Sequence, residues 1–243
     1  MTEQYTIDDF LGGKVQLKQR QYRATSDAVL LSAAVPAKSG QTVLDVGCGS
    51  GAVVLCLMAR VPELKAYAID NQDEMVLSAK ENALLNNQNV VVEKIDVAHP
   101  PVAWKELQFA HVFTNPPYFT ETPIRQNAIT ATAHKQAVSL VEWLDFCIKK
   151  VKSKGTLTII HRTEAVPEIL SILHHRMGKI TLVPFYPKTG CAPKRVIIQA
   201  TKSSKSPCVL HSGFVLHNDD NTRTQWAEDV MRHAKALNIF GID

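Results

Sequence analysis

The sequence predicts an α/β fold with a seven-stranded, mostly parallel sheet, helices on both faces and a C-terminal antiparallel hairpin. Three observations predict it. Short β-rich runs alternate with helical segments, which is typical of βαβ units and a parallel sheet. The first run ends in a glycine-rich loop, residues 45–51, at the start of a helix. The last two runs are joined by about eight residues, too few for a parallel crossover.

The predicted strands are short runs of apolar and β-branched residues, bounded by glycine, proline or polar residues. They cover residues 42–46, 65–70, 90–96, 109–114, 156–161, 179–186 and 195–201. The alternation with helices breaks only at the last two strands, where the connection contains Pro187, Gly190 and Pro193. These two strands are therefore expected to pair antiparallel.

Four helices are predicted between the strands, over residues 51–60, 73–85, 139–152 and 164–177. The third begins at a capping box, in which Ser139 and Glu142 satisfy free backbone N–H groups at the helix start. Trp143 lies one turn into this helix and is interpreted as a packing residue, like the other two tryptophans. Asn86 is expected to end the second helix and Gly178 the fourth.

One main domain is predicted at residues 39–202, with a shorter segment on either side. Residues 1–38 form an N-terminal extension, and residues 203–243 form a C-terminal appendage packed on the same domain. A polar, serine-rich connector opens the appendage. The appendage is expected to hold a strand over 209–217 and a helix that begins at a second capping box, residues 222–225.

The composition excludes several classes of protein. Of the 243 residues 45% are hydrophobic, which is close to the globular average. The longest apolar run, residues 52–59, is far shorter than the roughly 20 residues of a transmembrane helix. The N-terminus has no signal pattern, and five scattered cysteines without a CxxC pair argue against disulfides or zinc. The sequence predicts a cytoplasmic protein with no membrane contact and no metal, for which a monomer is favoured.

The net charge of +4 is unevenly distributed along the chain. Residues 169–218 contain seven Lys or Arg and no Asp or Glu, so the other residues sum to −3. A second acid-free stretch, residues 10–26, carries four basic residues. Either these stretches are ordinary solvated surface or they form a surface that contacts nucleic-acid phosphates. The second interpretation requires that the fold brings the two stretches together.

The most informative local pattern is the loop at residues 45–51 (DVGCGSG). Its glycines let the backbone turn tightly and approach a ligand closely, and the following helix offers free N–H groups. The spacing differs from the G-x-G-x-x-G of dinucleotide sites and from a P-loop. An acid at this position would repel a pyrophosphate and attract a cation, so the ligand that fits is S-adenosylmethionine. The predicted cofactor-binding residues here are Asp45, Gly47, Gly49 and Gly51.

Acidic residues end the next two predicted strands. A carboxylate at Asp70 can accept both ribose hydroxyls of a nucleoside cofactor, and Asp96 can accept from the adenine amino group. Asp27 is expected at the cofactor's amino-acid end, in the first turn of a helix capped by the preceding threonine, although capping alone also explains this segment. The predicted cofactor site also includes Asn71 and Val97.

The tetrapeptide Asn115-Pro116-Pro117-Tyr118 follows the fourth predicted strand. In a parallel sheet ligands bind beyond the carboxyl ends of the strands, so this turn and the glycine loop are expected to share one crevice. Asn115 Oδ1 and the Pro116 carbonyl can each accept one N–H of a planar amino group, and Tyr118 can stack on a flipped base. We predict catalysis by positioning and electrostatics, with Asn115, Pro116 and Tyr118 as the catalytic residues.

Together, residues 45–51 and 115–118 resemble class I, Rossmann-like S-adenosylmethionine-dependent methyltransferases that modify nitrogen. Residues 22–35 (YRATSDAVLLSAAV), 185–202 (FYPKTGCAPKRVIIQATK) and 214–226 extend the resemblance over nearly the full length to the bacterial tRNA1(Val) adenine-37-N6-methyltransferase family. The resemblance implies direct SN2 transfer of a methyl group to N6 of an adenosine in tRNA, at A37 of tRNA-Val. It also implies that the N-terminal extension covers the cofactor site.

A tRNA substrate would give the basic stretches a function. Phosphate groups attract Lys and Arg side chains regardless of base sequence, so residues of both stretches and of the segment after Tyr118 are candidates. The predicted RNA-binding residues are Lys18, Arg20, Arg125, Lys188, Lys194 and Arg195.

Three alternatives remain open. A glutamine-N5 methyltransferase that acts on release factors shares the NPPY pattern, but normally carries a longer helical N-terminal domain than the roughly 40 residues before the first strand here. An rRNA guanine-N2 methyltransferase usually has Phe rather than Tyr after the prolines. A non-catalytic RNA- or nucleotide-binding module would not need Asp45, Asp70 and Asn115 together.

Overall fold

The computed structural model describes residues 5–20, 23–117, 138–237 and 239. The helices in this part of the chain are α1 (Ser26–Ala34), α2 (Ala52–Arg60), α3 (Asp73–Leu85), α4 (Leu140–Lys150), α5 (Val166–Leu173) and α6 (Gln225–His233). The strands are β1 (Thr6–Phe10), β2 (Val15–Gln19), β3 (Thr42–Val46), β4 (Lys65–Asp70), β5 (Val90–Lys94), β6 (Phe109–Thr114), β7 (Val151–Arg162), β8 (Met177–Tyr186), β9 (Arg195–Lys202), β10 (Val209–Leu210) and β11 (Phe214–Val215). Short 3-10 helices span Leu11–Gly13, Val102–Trp104 and Thr163–Ala165.

Nine strands form one sheet in the order β10-β8-β9-β7-β6-β3-β4-β5, with β11 also paired to β8. Neighbours pair parallel except at β9, which is antiparallel to both β7 and β8. The predicted α/β fold class, with its C-terminal antiparallel hairpin, is confirmed. The short strands β10 and β11 extend the seven predicted strands to nine, where the sequence predicted a single strand over 209–217.

The hydrophobic core lies on both faces of this sheet. All six residues of β6 are buried, because helices cover the strand on either side. One apolar cluster joins α1, α2 and α3 to the sheet, and a second joins α4 and α5 to the opposite face. Successive residues of a strand point to opposite faces, so Val43 belongs to the first cluster and Leu44 to the second.

Helix boundaries mostly follow the local sequence signals. α3 spans the predicted residues, with Asn86 at its C-cap. The capping box of α4 is present, since the Ser139 hydroxyl accepts from Glu142 N and the Glu142 carboxylate accepts from Ser139 N. The Thr25 hydroxyl caps α1 by accepting from Asp27 N at 3.3 Å. These capping groups lie within a few residues of their partners, which is why the sequence alone reveals them.

The predicted end of the fourth helix is wrong. The helix over 164–177 is shorter, because α5 ends at Leu173 and His175 adopts a left-handed φ of 61°. Gly178 therefore lies in β8 rather than at a helix end. A Cβ at this position would collide with the carbonyl group of Ser204, so the glycine permits a close backbone approach.

The second predicted capping box, in the C-terminal appendage, is also wrong. α6 begins after Thr224, whose hydroxyl donates to the Val215 carbonyl at 2.8 Å instead of accepting from the helix. The Thr222 hydroxyl donates to Asp220 Oδ1 at 2.6 Å. One hydroxyl is engaged by β11 and the other by the turn before the helix, so the helix starts later than the sequence pattern suggests.

An N-terminal antiparallel hairpin, β1-β2, was not anticipated from the sequence. Asn82 and Asn86 of α3 bind it, because their Oδ1 atoms accept from Lys18 N at 2.7 Å and Gln16 N at 2.8 Å, and their Nδ2 atoms donate to the carbonyls of the same two residues. Asn82 Nδ2 also donates to the Ser50 carbonyl at 3.0 Å. One fully buried side chain thus connects the hairpin to the glycine loop.

The C-terminal segment packs against α1 and the turn of the hairpin. Val230 of α6 lies in the same apolar cluster as Leu11, and Leu237 N donates to the Ala33 carbonyl at 2.9 Å. The division into an extension, a main domain and an appendage stays a prediction. In the part of the chain that the structure describes, every helix is too short or too polar to span a bilayer. The same residues contain no cluster of three or more His, Cys, Asp or Glu able to hold a metal ion.

Candidate active site

The loops after β3, β4 and β6 begin side by side at the carboxyl edge of the sheet. The strand pairing aligns Val46 with Ile69 on one side and with Thr114 on the other. The glycine loop therefore starts between Asp70 and Asn115. Parallel α/β sheets bind ligands at this edge. The structure brings the predicted cofactor loop and the predicted catalytic turn to one place, as the sequence suggested.

The glycine loop has a backbone that side chains would not tolerate. Gly47, Gly49 and Gly51 have φ values of 73°, 53° and 84°, in the left-handed region that favours glycine. The amides of Gly47 and Cys48 both donate to the Ile69 carbonyl at 2.9 Å, which holds the loop against the end of β4. Gly51 is the N-cap of α2. A loop of this shape exposes backbone to a ligand at the start of a helix.

Asp70 is held in place by two backbone amides. Its Oδ2 accepts from Gly49 N at 3.0 Å and its Oδ1 accepts from Gln72 N at 3.1 Å. A carboxylate has about four lone-pair sites, so each oxygen can accept one further hydrogen bond. Two free acceptor sites on one fixed carboxylate fit the paired hydroxyls of a ribose. The neighbouring Asn71 is exposed at the same edge.

Asp45 is a buried acid at the end of β3, with 1% of its surface exposed. Its Oδ2 accepts from Val54 N at 3.2 Å. Burial raises the pKa of Asp45 to about 8, the Val54 amide partly opposes this rise, and the negative charge of Asp70 adds to it. A cation bound nearby would lower this pKa and favour the charged carboxylate. This property fits the ammonium and sulfonium groups of S-adenosylmethionine.

Asp96 lies in a loop rather than at a strand end, because β5 stops at Lys94. Its Oδ1 accepts from Ala98 N at 2.9 Å, and its Oδ2 lies 3.1 Å from His99 Nδ1. Both contacts lower the pKa of the Asp96 carboxyl, and the contact to His99 has the larger effect. Val97 beside it is buried. The adenine contact of Asp96 and Val97 stays a prediction.

The Asn115-Pro116 turn follows the last residue of β6. Asn115 is half-buried and Pro116 is buried. Thr114, directly before them, is fully buried, and its hydroxyl donates to the Val46 carbonyl at 2.8 Å. The start of the turn is thus tied to the residue before Gly47. Tyr118, the third predicted catalytic residue, lies outside the described residues.

Trp143 contacts both loops, a role that the sequence interpretation as a packing residue missed. Its Nε1 donates to Thr114 Oγ1 at 3.0 Å. Its six-membered ring lies so close to Gly47 that a Cβ there would be 2.7 Å from Cζ2. The capping box allowed the start of α4 to be predicted from the sequence. The contacts of Trp143 could not be predicted, because they depend on the order of the strands in the sheet.

A family model for the methyltransferase small domain matches residues 24–182. This match covers the glycine loop, the Asn115 turn and well over half of the chain. The chain belongs to this family. With the fold, membership makes the protein an S-adenosylmethionine-dependent methyltransferase. The left-handed glycines, the buried Asp45 and the two open acceptor sites of Asp70 fit this cofactor.

The sequence is similar to several curated methyltransferases, which align with different fractions of its length. A tRNA1(Val) (adenine(37)-N6)-methyltransferase of Vibrio cholerae is 32% identical over 118 residues, which is 48% of each chain. One of Haemophilus influenzae is 24% identical over 205 residues, covering 82% of this chain and 85% of the relative. A release factor glutamine methyltransferase of Thermodesulfovibrio yellowstonii is 31% identical over 115 residues, covering 47% and 40%. The chain thus spans about half the length of the Vibrio cholerae relative.

A solved structure from Agrobacterium tumefaciens, described as a predicted O-methyltransferase, has the same fold. The two chains superimpose with a TM-score of 0.72 at 22% identity, covering 89% of this chain and 100% of the other. At this identity the likeness concerns the class I methyltransferase fold and not the substrate.

The predicted cofactor residue Asp27 and the predicted RNA-binding residue Arg195 bind each other. Arg195 Nε lies 2.7 Å from Asp27 Oδ2, and the Asp27 side chain is nearly buried. This ion pair joins α1, which follows the first acid-free stretch, to β9 in the second. The fold therefore brings the end of the first stretch beside the middle of the second, as the phosphate-binding interpretation requires. The cofactor contact of Asp27 stays a prediction.

The predicted RNA-binding residues of the first stretch already have an acidic partner. Lys18 Nζ lies 3.1 Å from Glu81 Oε2, and an Arg20 guanidinium nitrogen lies 2.9 Å from the same oxygen. These ion pairs anchor the hairpin to α3. They also offset part of the positive charge of Lys18 and Arg20. Their contact with RNA stays a prediction.

Arg195 is the basic residue of the second stretch that reaches the edge of the sheet with the predicted catalytic turn, whereas Lys202 and Arg176 lie at the opposite edge. Arg195 pairs across the sheet with Arg162, at the end of β7, the strand next to β6. Lys194 is exposed, and Lys188 Nζ donates to the Asp219 carbonyl at 2.8 Å. Arg162 was not singled out in the sequence, because only the strand order places it near Asn115. Arg125 lies outside the described residues.

Proposed function

We propose that this methyltransferase transfers a methyl group to the exocyclic N6 of an adenosine in tRNA, with A37 of tRNA-Val as the target. The observation that carries the proposal is the Asn115-Pro116 turn, which leaves β6 directly beside the glycine loop. The names of the Vibrio cholerae and Haemophilus influenzae relatives support the choice of tRNA. The basic residues around Arg162 and Arg195 support an RNA partner with phosphates near this turn.

The catalytic turn supplies two hydrogen-bond acceptors for one amino group. The Asn115 side-chain oxygen and the Pro116 carbonyl each accept one N–H of the adenine N6 group. Accepting both hydrogens shifts electron density onto the nitrogen, so its lone pair becomes available for bond formation. Proline at 116 has no N–H that would compete for the acceptor, and its ring restricts the backbone. The turn therefore acts by positioning and electrostatics.

The cofactor is held by residues on the neighbouring loops. Asp70 accepts from the ribose hydroxyls, Asp45 balances positive charge, and Asp96 with Val97 contacts the adenine. When bound, S-adenosylmethionine supplies an electrophilic methyl group on a positively charged sulfur. Transfer of this methyl group to N6 would leave the electron pair of the C–S bond on sulfur and would release one N6 proton to solvent.

The N-terminal extension completes the site. The hydrogen bonds of Asn82 to Lys18 and Ser50 support the idea that residues 1–38 cover the cofactor loop. The Asp27–Arg195 ion pair supports the idea that this N-terminal segment lies next to the side of the sheet that binds RNA. Lys188, Lys194 and Arg195 contact RNA phosphates on this side, and Arg125 is a further candidate for a phosphate contact.

Methyl transfer with labelled S-adenosylmethionine tests the proposal directly. The substrates are a tRNA-Val transcript, the same transcript with A37 replaced by G, a release factor and an rRNA fragment. We expect label in N6-methyladenosine from the first transcript and none from the second. The matched transcripts differ at one base, so the comparison reports the position as well as the nucleoside.

The other substrates decide between the alternatives. Label on a glutamine of the release factor would favour the function named for the Thermodesulfovibrio yellowstonii relative. Label on guanine N2 of the rRNA fragment would favour a guanine methyltransferase. Either result, without N6-methyladenosine in tRNA, would contradict the proposal.

A further inference from the structure

A chain of two hydrogen bonds crosses from α4 to the loop that holds the cofactor. The indole Nε1 of Trp143 donates to Thr114 Oγ1 at 3.0 Å, and the Thr114 hydroxyl donates to the Val46 carbonyl at 2.8 Å. Thr114 has no exposed surface. Because its hydroxyl accepts one bond and donates the other, the hydroxyl group is fixed in direction as well as in position.

The same indole also packs against the glycine loop. A Cβ at Gly47 would lie 2.7 Å from Trp143 Cζ2 and 2.8 Å from Cη2, closer than real Cβ atoms approach. Gly47 therefore leaves the space that the ring fills. Trp143 touches the residue directly before Asn115 and the first glycine of the cofactor loop at once.

The helix that carries Trp143 is itself fixed. Ser139 and Glu142 form a complete capping box at its start, and Trp143 N donates to the Ser139 carbonyl at 2.9 Å. Leu144, the next residue, is fully buried in the apolar cluster on this face of the sheet. The indole is thus attached to a rigid element, which is the arrangement that holds a functional group within fractions of an ångström.

We infer that Trp143 is a positioning residue for methyl transfer: through Thr114 it sets the distance between the Asn115-Pro116 acceptors and the cofactor loop. The inference rests on the proposed role of Asn115 as an acceptor for the substrate amino group. The Asn115 side chain makes no hydrogen bond to another described residue, so its placement depends on the backbone just before it. That backbone is the one that Trp143 and Thr114 tie to Val46.

Four variants separate this role from general stability. Trp143→Phe keeps an aromatic ring but removes the N–H donor and the ring atoms beside Gly47, and Thr114→Val keeps the shape but removes the hydroxyl. Thr114→Ser retains the hydroxyl. Trp104→Phe is the matched control, because Trp104 is buried in the same apolar cluster and its Nε1 donates to Glu93 Oε2 at 3.1 Å rather than to Thr114.

We expect Trp143→Phe and Thr114→Val each to lower kcat for tRNA methylation about tenfold, because small displacements of reacting groups cost rate steeply. The dissociation constant of S-adenosylmethionine, measured by calorimetry, should stay close to the wild-type value. The double variant should lose less than the product of the two single losses, since both changes break the same chain. Thr114→Ser and Trp104→Phe should keep the wild-type kcat.

Several outcomes would overturn the inference. They are a wild-type kcat in Trp143→Phe, an equal loss of kcat in Trp104→Phe, or multiplicative losses in the double variant. A wild-type protein that methylates no tRNA would instead mark the failure of the proposed function. The two failures are therefore distinguishable in one set of assays.

Discussion

The loop after β3 and the turn after β6 lie side by side, yet they are built in opposite ways. Around the first region, the carboxylates at the ends of β3 and β4 are already held by backbone amides: Asp70 accepts from Gly49 N and Gln72 N, and Asp45 accepts from Val54 N. In the second, the Asn115 side chain has no partner among the described residues, and only Thr114 before it is bonded. Pre-bonded carboxylates favour tight binding of a fixed ligand, whereas open acceptors suit a group that changes during a reaction.

This difference predicts a separation of effects on binding and on turnover. Changes on the β3 and β4 side should alter cofactor affinity first, whereas changes at the β6 turn should alter rate first. An enzyme gains rate only from contacts that strengthen in the transition state. The following variants test whether the two regions divide the work in this way.

Replacement of Asn115 by Ala should have the largest effect. Loss of one acceptor for the substrate amino group should lower kcat roughly a hundredfold or more, similar to the loss of one preorganised group in other active sites. The dissociation constant of S-adenosylmethionine should stay near the wild-type value. Calorimetry and single-turnover methylation on the same preparation measure both quantities. An equal loss of cofactor affinity would mean that Asn115 is structural.

Replacement of Asp70 by Ala should act on the other region. A charged acceptor contributes more than a neutral one, so cofactor affinity should fall roughly ten- to a hundredfold. Residual turnover at saturating cofactor should be reduced far less than in Asn115→Ala. The cofactor affinity of Asp70→Asn, which can still accept from Gly49 N, should lie between those of Asp70→Ala and the wild type. An unchanged dissociation constant would remove the ribose role of Asp70.

Asp45 should make stability depend on pH. Its folded-state pKa is raised from 3.8 to about 8, so the folded protein keeps a proton that the unfolded chain loses. Stability should therefore fall as pH rises from about 4 to about 8 and level off above, with a total loss of a few kcal/mol from this group. Asp45→Asn should remove this dependence, raise Tm at pH 8 and leave Tm at pH 4 nearly unchanged.

The same variant should weaken cofactor binding, since it removes the charge that balances the ligand cation. A stability profile parallel to that of the wild type would contradict the buried, protonated Asp45. Thermal unfolding across this pH range, without cofactor, measures the effect.

The smallest expected effects concern the two sets of basic residues. The double variant Lys188→Gln/Lys194→Gln should raise the KM for tRNA roughly tenfold. The slope of log KM against log salt concentration should fall by about one to two. The matched pair Lys18→Gln with Arg20→Gln removes the same charge from the hairpin, but Glu81 already offsets part of it. We expect this pair to change the KM far less. Equal effects of both pairs would show that the hairpin also contacts RNA.

The parts that the sequence predicted well depend on neighbouring residues. Strands β3, β4 and β6 and helix α3 span the predicted residues, because apolar runs and capping residues act over a few positions. The glycine loop and the Asn115 turn could be placed on one edge because a parallel βαβ order fixes where strands end. The capping box predicted at 222–225 was wrong because its threonine hydroxyls bind Asp220 and Val215, and the helix predicted over 164–177 ends early, before the left-handed backbone at His175.

The parts that were missed depend on contacts between distant segments. The β1-β2 hairpin is held by Asn82 and Asn86, more than 60 positions along the chain. The pairing of Lys18 with Glu81 spans a similar number of positions, and it offsets positive charge in a stretch that the sequence alone indicates as basic. Trp143 reaches Thr114 across 29 positions. No local pattern encodes these partners, because they are set by the order of strands in the sheet.

The central claim is that the Asn115 turn presents adenine N6 of a tRNA to the cofactor. Mass spectrometry of tRNA-Val from a strain that lacks this gene tests it most directly, with the wild-type gene and the Asn115→Ala gene returned on a plasmid. N6-methyladenosine at position 37 should disappear in the deletion strain, return with the wild-type gene and stay absent with the variant. Unchanged methylation at position 37 in the deletion strain would contradict the claim.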